Sequence, residues 1–279
     1  MRDAQGQVPP GFNALVAEKA TLVVEAVRRA VVPIYGADDQ LKPVFEGTGV
    51  LVRLQDDFLL VSAAHVFKAL RRGVFLLLDG REKQPLLNRA VVNALEAGQR
   101  PHQDRIDIGF VRLTSEEADA AGRANFIEAR PRVVPSEVHW YLRYTILGYP
   151  AKAQVRLDDE GLVRPMLMPY HAPELKASEY VRVGLNRDEV IAIDFNHRHI
   201  VDDLGRGGGR PDMVGLSGGG IWQFNPLERD LDRNPPALVG FLAAPAPRHG
   251  KAIFGATTTT LAQLARMPVD DDKLPAPGA

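Results

Sequence analysis

The chain of 279 residues contains no cysteine. Disulfide bonds and thiolate metal sites are therefore excluded, and the composition fits a reducing compartment. Apolar runs are also short, since no stretch approaches the roughly 18 uninterrupted apolar residues of a membrane-spanning helix. The first ten residues carry Asp3 and no long apolar run, which is unlike a secretory signal. These absences predict a cytoplasmic protein that does not span a membrane.

An excess of charge of either sign is missing as well. The 34 lysine and arginine residues nearly balance the 35 aspartate and glutamate residues, which gives a formal net charge of −1. Such a chain has no general attraction for nucleic acid or an anionic membrane, and we expect neither as a partner. The remaining composition, with 45% hydrophobic and 25% charged residues, is that of an ordinary globular protein. The length allows one large domain or two small ones.

The two ends of the chain carry helical patterns. Residues 12–30 place apolar side chains on one broad face, and Pro33 ends the pattern. The face consists of Leu15, Val16, Ala20, Val23, Val24 and Val27. We interpret it as an amphipathic helix packed on a β surface, with docking to a partner as the alternative. A short helix is expected over Leu261–Arg266, before a tail rich in Asp and Pro.

Between these helices the sequence has the pattern of many short strands. The first set is Val31–Tyr35, Thr48–Leu54, Phe58–Ala64, Val74–Leu78, Ala90–Leu95 and Ile108–Leu113. The second set is Tyr141–Leu147, Gln154–Leu157, Arg164–Met168, Tyr180–Gly184, Val190–Phe195, Gly220–Phe224, Leu238–Ala243 and Ala252–Ala256. Residues 115–125 are interpreted as a short helix or linker, with Ser115 as its N-cap. Two β sets of similar size predict two packed barrels.

The predicted organisation is all-β, with two six-stranded antiparallel barrels, an N-terminal amphipathic helix and a short C-terminal helix. Its segments are a helical segment (1–30), a first barrel (31–114), a linker (115–139), a second barrel with the C-terminal helix (140–267) and a flexible tail (268–279).

Three short motifs carry the chemistry. Val-Ser-Ala-Ala-His (61–65) ends in His65, Asp107 opens Asp-Ile-Gly-Phe-Val-Arg-Leu (107–113), and Ser217 stands within Gly-Leu-Ser-Gly-Gly-Gly (215–220). A serine hydroxyl needs a base to accept its proton, and that base needs a partner to fix its tautomer. Each residue alone has an ordinary explanation as a polar strand end, a buried carboxylate or a glycine-rich turn. Together they predict a Ser/His/Asp site where the two β sets meet.

The glycines around Ser217 have a role of their own. They allow a sharp turn and a close approach of the backbone to a substrate carbonyl. The N–H groups of Gly215 and Ser217 are therefore expected to form an oxyanion hole, in which one donor contributes roughly 3 kcal/mol in the transition state.

In these motifs the chain resembles the chymotrypsin-like (trypsin-like) serine peptidases. Their signatures are Thr-Ala-Ala-His, Asp-Ile-Ala-Leu-Leu and Gly-Asp-Ser-Gly-Gly-Pro, and Gly47-Thr48-Gly49 is a weaker similarity. The resemblance implies a two-barrel fold and peptide-bond hydrolysis, without metal or cofactor, on a protein or peptide substrate. Ser217 would be the nucleophile, His65 the general base and then acid, and Asp107 the residue that orients the imidazole.

Departures from the family pattern point to a disulfide-free branch of the bacterial cytoplasmic type. Val66 stands where secreted members have Cys after the His. Leu216 replaces the Asp that secreted members pair with a freshly cut N-terminus, so activation by N-terminal cleavage is not expected. An unregulated cytoplasmic protease would be toxic, and we therefore expect narrow specificity or a site switched on by a regulatory protein partner.

The resemblance also suggests a substrate pocket. Its walls are expected near residues 210–216 and 243–246, with Ala243 and Ala244 aligned with the segment that pairs with substrate backbone. Pro245 has no N–H to donate there, which departs from the family. Asp212 is a candidate for selecting a basic side chain, although an acid in this position is also typical of a loop cap.

Other interpretations remain open at this point. Gly215-Leu-Ser-Gly-Gly219 fits the Gly-x-Ser-x-Gly motif of an α/β-hydrolase esterase, but only His249 follows Ser217, and that fold needs Asp and then His. A catalytically latent or dead protease fold that binds peptides or scaffolds an assembly is a further alternative. His197 and His199 are a weak metal-binding pair, and no metal site is predicted.

Overall fold

The computed structural model describes residues 9–37, 43–69, 74–78, 82–86, 92–93, 106–134, 139, 141–151, 167–194, 214–231, 233–243 and 252–266. Its helices are α1 (Phe12–Val27), α2 (Ala64–Ala69), α3 (Ser115–Ala120), α4 (Ala177–Val183) and α5 (Thr258–Ala265), with 3₁₀ turns at Arg28–Ala30 and Arg123–Asn125. Its strands are β1 (Val31–Ala37), β2 (Pro43–Leu54), β3 (Asp57–Ala63), β4 (Val74–Leu78), β5 (Glu82–Leu86), β6 (Val92–Asn93), β7 (Ile108–Leu113), β8 (Ile127–Glu128), β9 (Arg143–Gly148), β10 (Met168–Ala172), β11 (Val190–Asp194), β12 (Gly220–Phe224), β13 (Ala237–Leu242) and β14 (Ala252–Thr257).

The strands form two sheets, which we call the first and the second β unit. The first unit has the order β5-β4-β1-β2-β3-β7-β6, and the short β8 pairs with β2 in parallel. The second unit has the order β10-β9-β12-β13-β14-β11, with antiparallel pairing throughout. An isolated antiparallel bridge also pairs Glu174, two residues after β10, with Ile193 of the opposite edge strand β11. The predicted fold class, all-β with two β units and a helix near each end of the β region, is confirmed. The second unit has the predicted six strands, and the first has eight among the described residues.

Alternating side chains of β2 and β3 enter two different cores. Val50 and Val61 belong to the core shared between the two units, whereas their neighbours Leu51 and Leu60 belong to the interior of the first unit. Successive side chains of a strand point to opposite faces, so a strand with a core on each side is apolar at nearly every position. This explains the continuous burial from Leu59 to Ala63 in β3.

Helix α1 packs into the core between the units. Its buried residues are Phe12, Val16, Ala20, Val23 and Val27. These recur every three or four positions, as one face of a helix requires. They share a core cluster with Val50 of the first unit and Trp222 of the second. Of the predicted apolar face, Val16, Ala20, Val23 and Val27 are buried inside this chain, and Leu15 and Val24 are partly buried.

Two local predictions were wrong. Residues 180–184 are not a strand, since they form the end of α4 and its C-cap Gly184, which has φ +65°. The N-cap of α3 is Thr114 rather than Ser115, since Thr114 Oγ1 accepts the N–H of Glu117 at 3.2 Å. His65 follows the end of β3, as expected, at the second position of α2.

Of the strand expected at Arg164–Met168, residues 164–166 lie outside the described residues, and β10 contains Met168 as its first residue. The expected strand Gln154–Leu157 lies outside the described residues. Among the residues that the structure describes, no helix is both long and apolar enough to cross a membrane.

Candidate active site

His65 and Asp107 meet because β3 and β7 are antiparallel neighbours. The last pair of their ladder is Ala63 with Ile108, and one further hydrogen bond follows it, from Ala64 N–H to Asp107 O at 3.1 Å. His65 therefore stands beside Asp107. The carboxylate accepts twice, from the backbone N–H of His65 to Oδ1 at 3.1 Å and from His65 Nδ1 to Oδ2 at 2.5 Å.

The burial of this pair is unequal. The Asp107 side chain is 5% exposed and the His65 side chain 38%. An ionised carboxylate only accepts hydrogen bonds, so His65 Nδ1 must carry a proton and donate it. In the neutral ring this leaves Nε2 free of a proton and able to accept one. In this tautomer Nε2 could accept a proton from a nearby hydroxyl, which is the capacity that a general base needs.

Ser217 lies in a tight loop of the second unit, residues 214–219, which we call the Ser217 loop. Gly215 and Gly218 have φ of +90° and +85°, a region that favours glycine. A Cβ on Gly218 would lie 2.1 Å from Ser62 Oγ and 2.1 Å from Thr48 O, so no larger residue fits. The loop therefore packs directly against the first unit.

Four successive carbonyl groups of the Ser217 loop accept hydrogen bonds. The donors are Ala151 N to Val214 O (2.8 Å), Thr48 Oγ1 to Gly215 O (2.8 Å), Gly219 N to Leu216 O (2.8 Å) and Thr48 N to Ser217 O (3.0 Å). The C=O and N–H of one peptide unit point in opposite directions. Fixing Val214 O and Leu216 O therefore also fixes the N–H groups of Gly215 and Ser217.

These two N–H groups are the predicted oxyanion donors. Within the described part of the chain, neither the N–H of Gly215 nor that of Ser217 donates a hydrogen bond to another protein group. Backbone donors that are held in place and unused by the protein are what an oxyanion hole requires. Their assignment to that role stays a prediction.

The backbone of Ser217 lies next to the segment that carries His65. A Cβ on Gly47 would lie 3.2 Å from Ser217 O and 2.8 Å from Cγ2 of Val66, the residue after His65. Both Ser217 and His65 are described, and the structure records no hydrogen bond between Ser217 Oγ and the imidazole. Nucleophile–base contacts are commonly long before substrate binds. The structure thus joins His65 to Asp107 directly, and it places the backbone of Ser217 near Val66, on the segment that carries His65.

The predicted substrate residues are only partly described. Ala243 follows β13 and is buried, and its N–H donates to Phe254 O at 2.9 Å. That N–H is therefore engaged within the second unit, and a substrate role for Ala243 stays a prediction. Asp212 and Ala244 lie outside the described residues, as do His197 and His199. Among the residues that the structure describes, no group of three or more His, Asp or Glu side chains is arranged to hold a metal ion.

Sequence reasoning missed the part played by Thr48. This residue is completely buried, and it contacts the Ser217 loop through both its backbone and its hydroxyl. The only signal in the sequence is a threonine flanked by two glycines, Gly47 and Gly49. That pattern indicates close packing but does not reveal the partner, which lies 167 positions away.

Two curated sequences are similar to parts of this chain. No family model matches the chain. It is similar to the DNA mismatch repair protein MutL of Nitrobacter winogradskyi, 35% identical over 162 residues, which are 53% of this chain and 24% of that protein. It is also similar to MutL of Methylocella silvestris, 27% identical over 227 residues, 79% of this chain and 32% of that protein. The chain thus spans between 24% and 32% of the length of these relatives.

Similar solved structures cover most of the chain at low identity. The inactive form of a mutant of Rv3671c from M. tuberculosis H37Rv is 18% identical, with a TM-score of 0.44, over 94% of this chain and 97% of that chain. The inactive form of Rv3671c protease is 16% identical, with the same TM-score and coverage. The structure of GrC is 13% identical, with a TM-score of 0.48, over 85% of this chain and 92% of that chain.

Proposed function

We propose that this chain is a serine endopeptidase in which Ser217, His65 and Asp107 hydrolyse peptide bonds. The observation that carries the proposal is the double hydrogen bond from His65 to Asp107, at 2.5 and 3.1 Å. It lies beside a glycine-rich loop whose Gly215 and Ser217 N–H groups are unused by the described protein groups. A general base, its orienting carboxylate and two oxyanion donors are the parts that acyl transfer to a serine requires.

The reaction follows from these roles. Ser217 Oγ bonds to the scissile carbonyl carbon while His65 Nε2 takes the hydroxyl proton, and the carbonyl oxygen becomes an oxyanion facing Gly215 and Ser217 N–H. The C–N bond then breaks as His65 gives the proton to the leaving amine. Water attacks the acyl-serine by the same route in reverse and releases the acid. Each oxyanion donor contributes roughly 3 kcal/mol to the transition state.

The proposed substrate is a protein or peptide, and the proposed location is the cytoplasm. Leu216 stands where secreted chymotrypsin-like peptidases have the Asp that pairs with a freshly cut N-terminus. Its side chain is fully buried in the core of the second unit. An apolar side chain there cannot form an ion pair with a new N-terminus. This favours narrow specificity or control by a partner protein over activation by N-terminal cleavage.

One observation favours a second candidate, a catalytically latent protease fold that binds peptides. The structure records a bond from His65 to Asp107 but none from Ser217 Oγ to His65, although both residues are described. A site in which the hydroxyl stays away from its base would hold a peptide without cutting it. The esterase alternative has no such support, because that fold needs a parallel sheet with alternating helices, and the second unit, which holds Ser217, is antiparallel.

Digestion of a library of peptides derived from a cytoplasmic proteome tests the proposal, with products identified by mass spectrometry. We expect the wild type to generate new N-termini with a shared sequence preference, and Ser217→Ala to generate none. Ser178→Ala is the matched control, because Ser178 is an exposed serine of α4 and belongs to none of the three motifs. Peptides that the folded protein retains but never cleaves would contradict the peptidase proposal and favour the latent fold that binds peptides.

A further inference from the structure

We propose that Thr48 is a positioning residue that sets the conformation of the Ser217 loop, and thereby both oxyanion donors, from the first β unit. The inference rests on the proposed peptidase function and extends it to a residue outside the three catalytic side chains. Thr48 lies in β2, whereas the Ser217 loop belongs to the second unit.

All three polar groups of Thr48 are used in hydrogen bonds, and its hydroxyl is used twice. Oγ1 donates to Gly215 O at 2.8 Å and accepts Tyr149 N–H at 2.9 Å, while the backbone N–H donates to Ser217 O at 3.0 Å. The backbone carbonyl accepts the hydroxyl of Ser62 at 2.6 Å. A hydroxyl that donates once and accepts once has a fixed direction, so Oγ1 can hold Gly215 O in only one orientation.

The bond from Thr48 Oγ1 to Gly215 O restrains the most flexible part of the Ser217 loop. Gly215 and Gly218 flank Leu216 and Ser217, and glycine moves through φ and ψ more freely than any other residue. The peptide unit that Thr48 Oγ1 holds lies between the two donor peptide units. Rotation of this unit would change the angle between Gly215 N–H and Ser217 N–H, so that both could no longer face one oxygen.

Thr48 also connects this loop to the segment that carries the base. Ser62, which donates to Thr48 O, belongs to the motif that ends in His65. The hydrogen-bond chain therefore runs from the His65 segment through Thr48 to Gly215 and Ser217. Since Thr48 contacts neither the reacting atoms nor the imidazole in this chain of bonds, its role is to position groups that do.

Thr48→Val and Thr48→Ser separate the hydroxyl from the methyl group of Thr48. With a cleavable peptide, we expect kcat of Thr48→Val to fall between about 10- and 100-fold, less than the roughly 10²–10³-fold cost of losing an oxyanion donor outright. KM should change less than about 3-fold, because misplaced oxyanion donors weaken binding of the transition state more than binding of the substrate. Thr48→Ser keeps the hydroxyl and should stay within about 3-fold of the wild type.

A matched control is Thr258→Val. Thr258 is fully buried in α5, and its Oγ1 has no hydrogen-bond partner within the described structure. The same chemical change there should leave kcat and KM unaltered. Circular dichroism of every variant shows whether it is folded at the assay temperature.

Amide hydrogen exchange of residues 214–220 provides a readout that does not need catalysis. We expect faster exchange of this segment in Thr48→Val and wild-type exchange in Thr48→Ser and Thr258→Val. If the wild type cleaves nothing, the proposed function fails while the exchange experiment still tests Thr48. Equal kcat and equal exchange in wild type and Thr48→Val would overturn the positioning role, as would a Thr48→Ser variant that behaves like Thr48→Val.

Discussion

Two buried carboxylates, Asp107 in the first β unit and Glu174 in the second, have partners of different kinds. Asp107 pairs with His65, whose side chain is 38% exposed and whose second ring nitrogen, Nε2, can accept a proton in the neutral ring. Glu174 pairs with Arg132, which is 1% exposed and permanently charged, and Glu174 itself is 0% exposed. One carboxylate faces a group that can exchange a proton with a ligand, and the other does not.

The Glu174 cluster is saturated with hydrogen bonds. Arg132 Nη2 donates to Oε1 at 2.7 Å, Tyr180 OH to Oε1 at 2.8 Å and Tyr144 OH to Oε2 at 2.6 Å. Burial alone would raise the pKa of Glu174, but the charge of Arg132 and these hydrogen bonds lower it below the ordinary value. The cluster ties Arg132 to the second unit and therefore has a structural role, whereas the Asp107 pair engages only Nδ1 of the His65 ring.

Breaking the Asp107 pair should have the largest effect on catalysis. In an Asp107→Asn variant the side-chain carbonyl can still accept the backbone N–H of His65, but the amide group then faces Nδ1 as a donor. The imidazole would carry its proton on Nε2 and could not accept one from Ser217. We expect kcat to fall about 10⁴-fold with a small change in stability, measured by peptide hydrolysis and urea unfolding. A fall of less than about 10-fold would show that Asp107 does not orient the base.

Breaking the pair of Glu174 with Arg132 should lower the stability of the fold and leave kcat unchanged. Glu174→Gln leaves the buried Arg132 charge without its counter-ion, and we expect the free energy of unfolding to fall by about 3–5 kcal/mol. Below the unfolding transition, kcat should equal that of the wild type. A selective loss of kcat in a stably folded variant would contradict the structural role of this cluster.

The pH dependence of stability sharpens the same contrast. Because the pKa of Glu174 is lower in the folded protein than in the unfolded chain, its ionised form stabilises the fold above pH about 4.3. That contribution is lost as the pH falls through the folded-state value. In urea unfolding at a series of pH values, the stability gap between wild type and Glu174→Gln should be widest near pH 7 and narrow below pH about 4. A gap that widens in acid would reverse the sign of the shift.

Removal of a single hydroxyl from the Glu174 cluster should have the smallest effect on stability. Tyr180→Phe removes one donor to the carboxylate and one acceptor for Ala192 N–H at 2.6 Å. The remaining donors to Glu174 stay in place, so we expect a loss of about 1–3 kcal/mol in urea unfolding and no change in kcat. A loss as large as that of Glu174→Gln would mean that the hydroxyl, rather than the charge pair, holds the cluster together.

Residues placed by neighbouring strands could be predicted from the sequence, and residues placed by distant contacts could not. His65 and Asp107 each adjoin an apolar strand, and the pairing of those strands brings the two residues together. Helix α1 was equally predictable, since its apolar period persists from Phe12 to Val27. Such patterns are local, so a single sequence contains them.

Thr48 and Glu174 depend on contacts that no local pattern encodes. Thr48 reaches Gly215 across 167 positions, and Arg132 reaches Glu174 across 42. Helix α4 was missed for a related reason, because Tyr180 and Val181 favour strands on their own and the buried Tyr180–Glu174 bond selects the helical turn. The motifs could thus predict that His65 and Asp107 meet, while the residues that hold the Ser217 loop and Glu174 in place required the fold.

The most direct measurement is the intact mass of the folded protein after treatment with a fluorophosphonate. The account predicts one adduct per chain on the wild type and on Glu174→Gln, none on Ser217→Ala, and much slower labelling of Asp107→Asn. Absence of an adduct on the folded wild type, or an adduct that persists in Ser217→Ala, would contradict the claim that Ser217 is a nucleophile activated by His65 and Asp107.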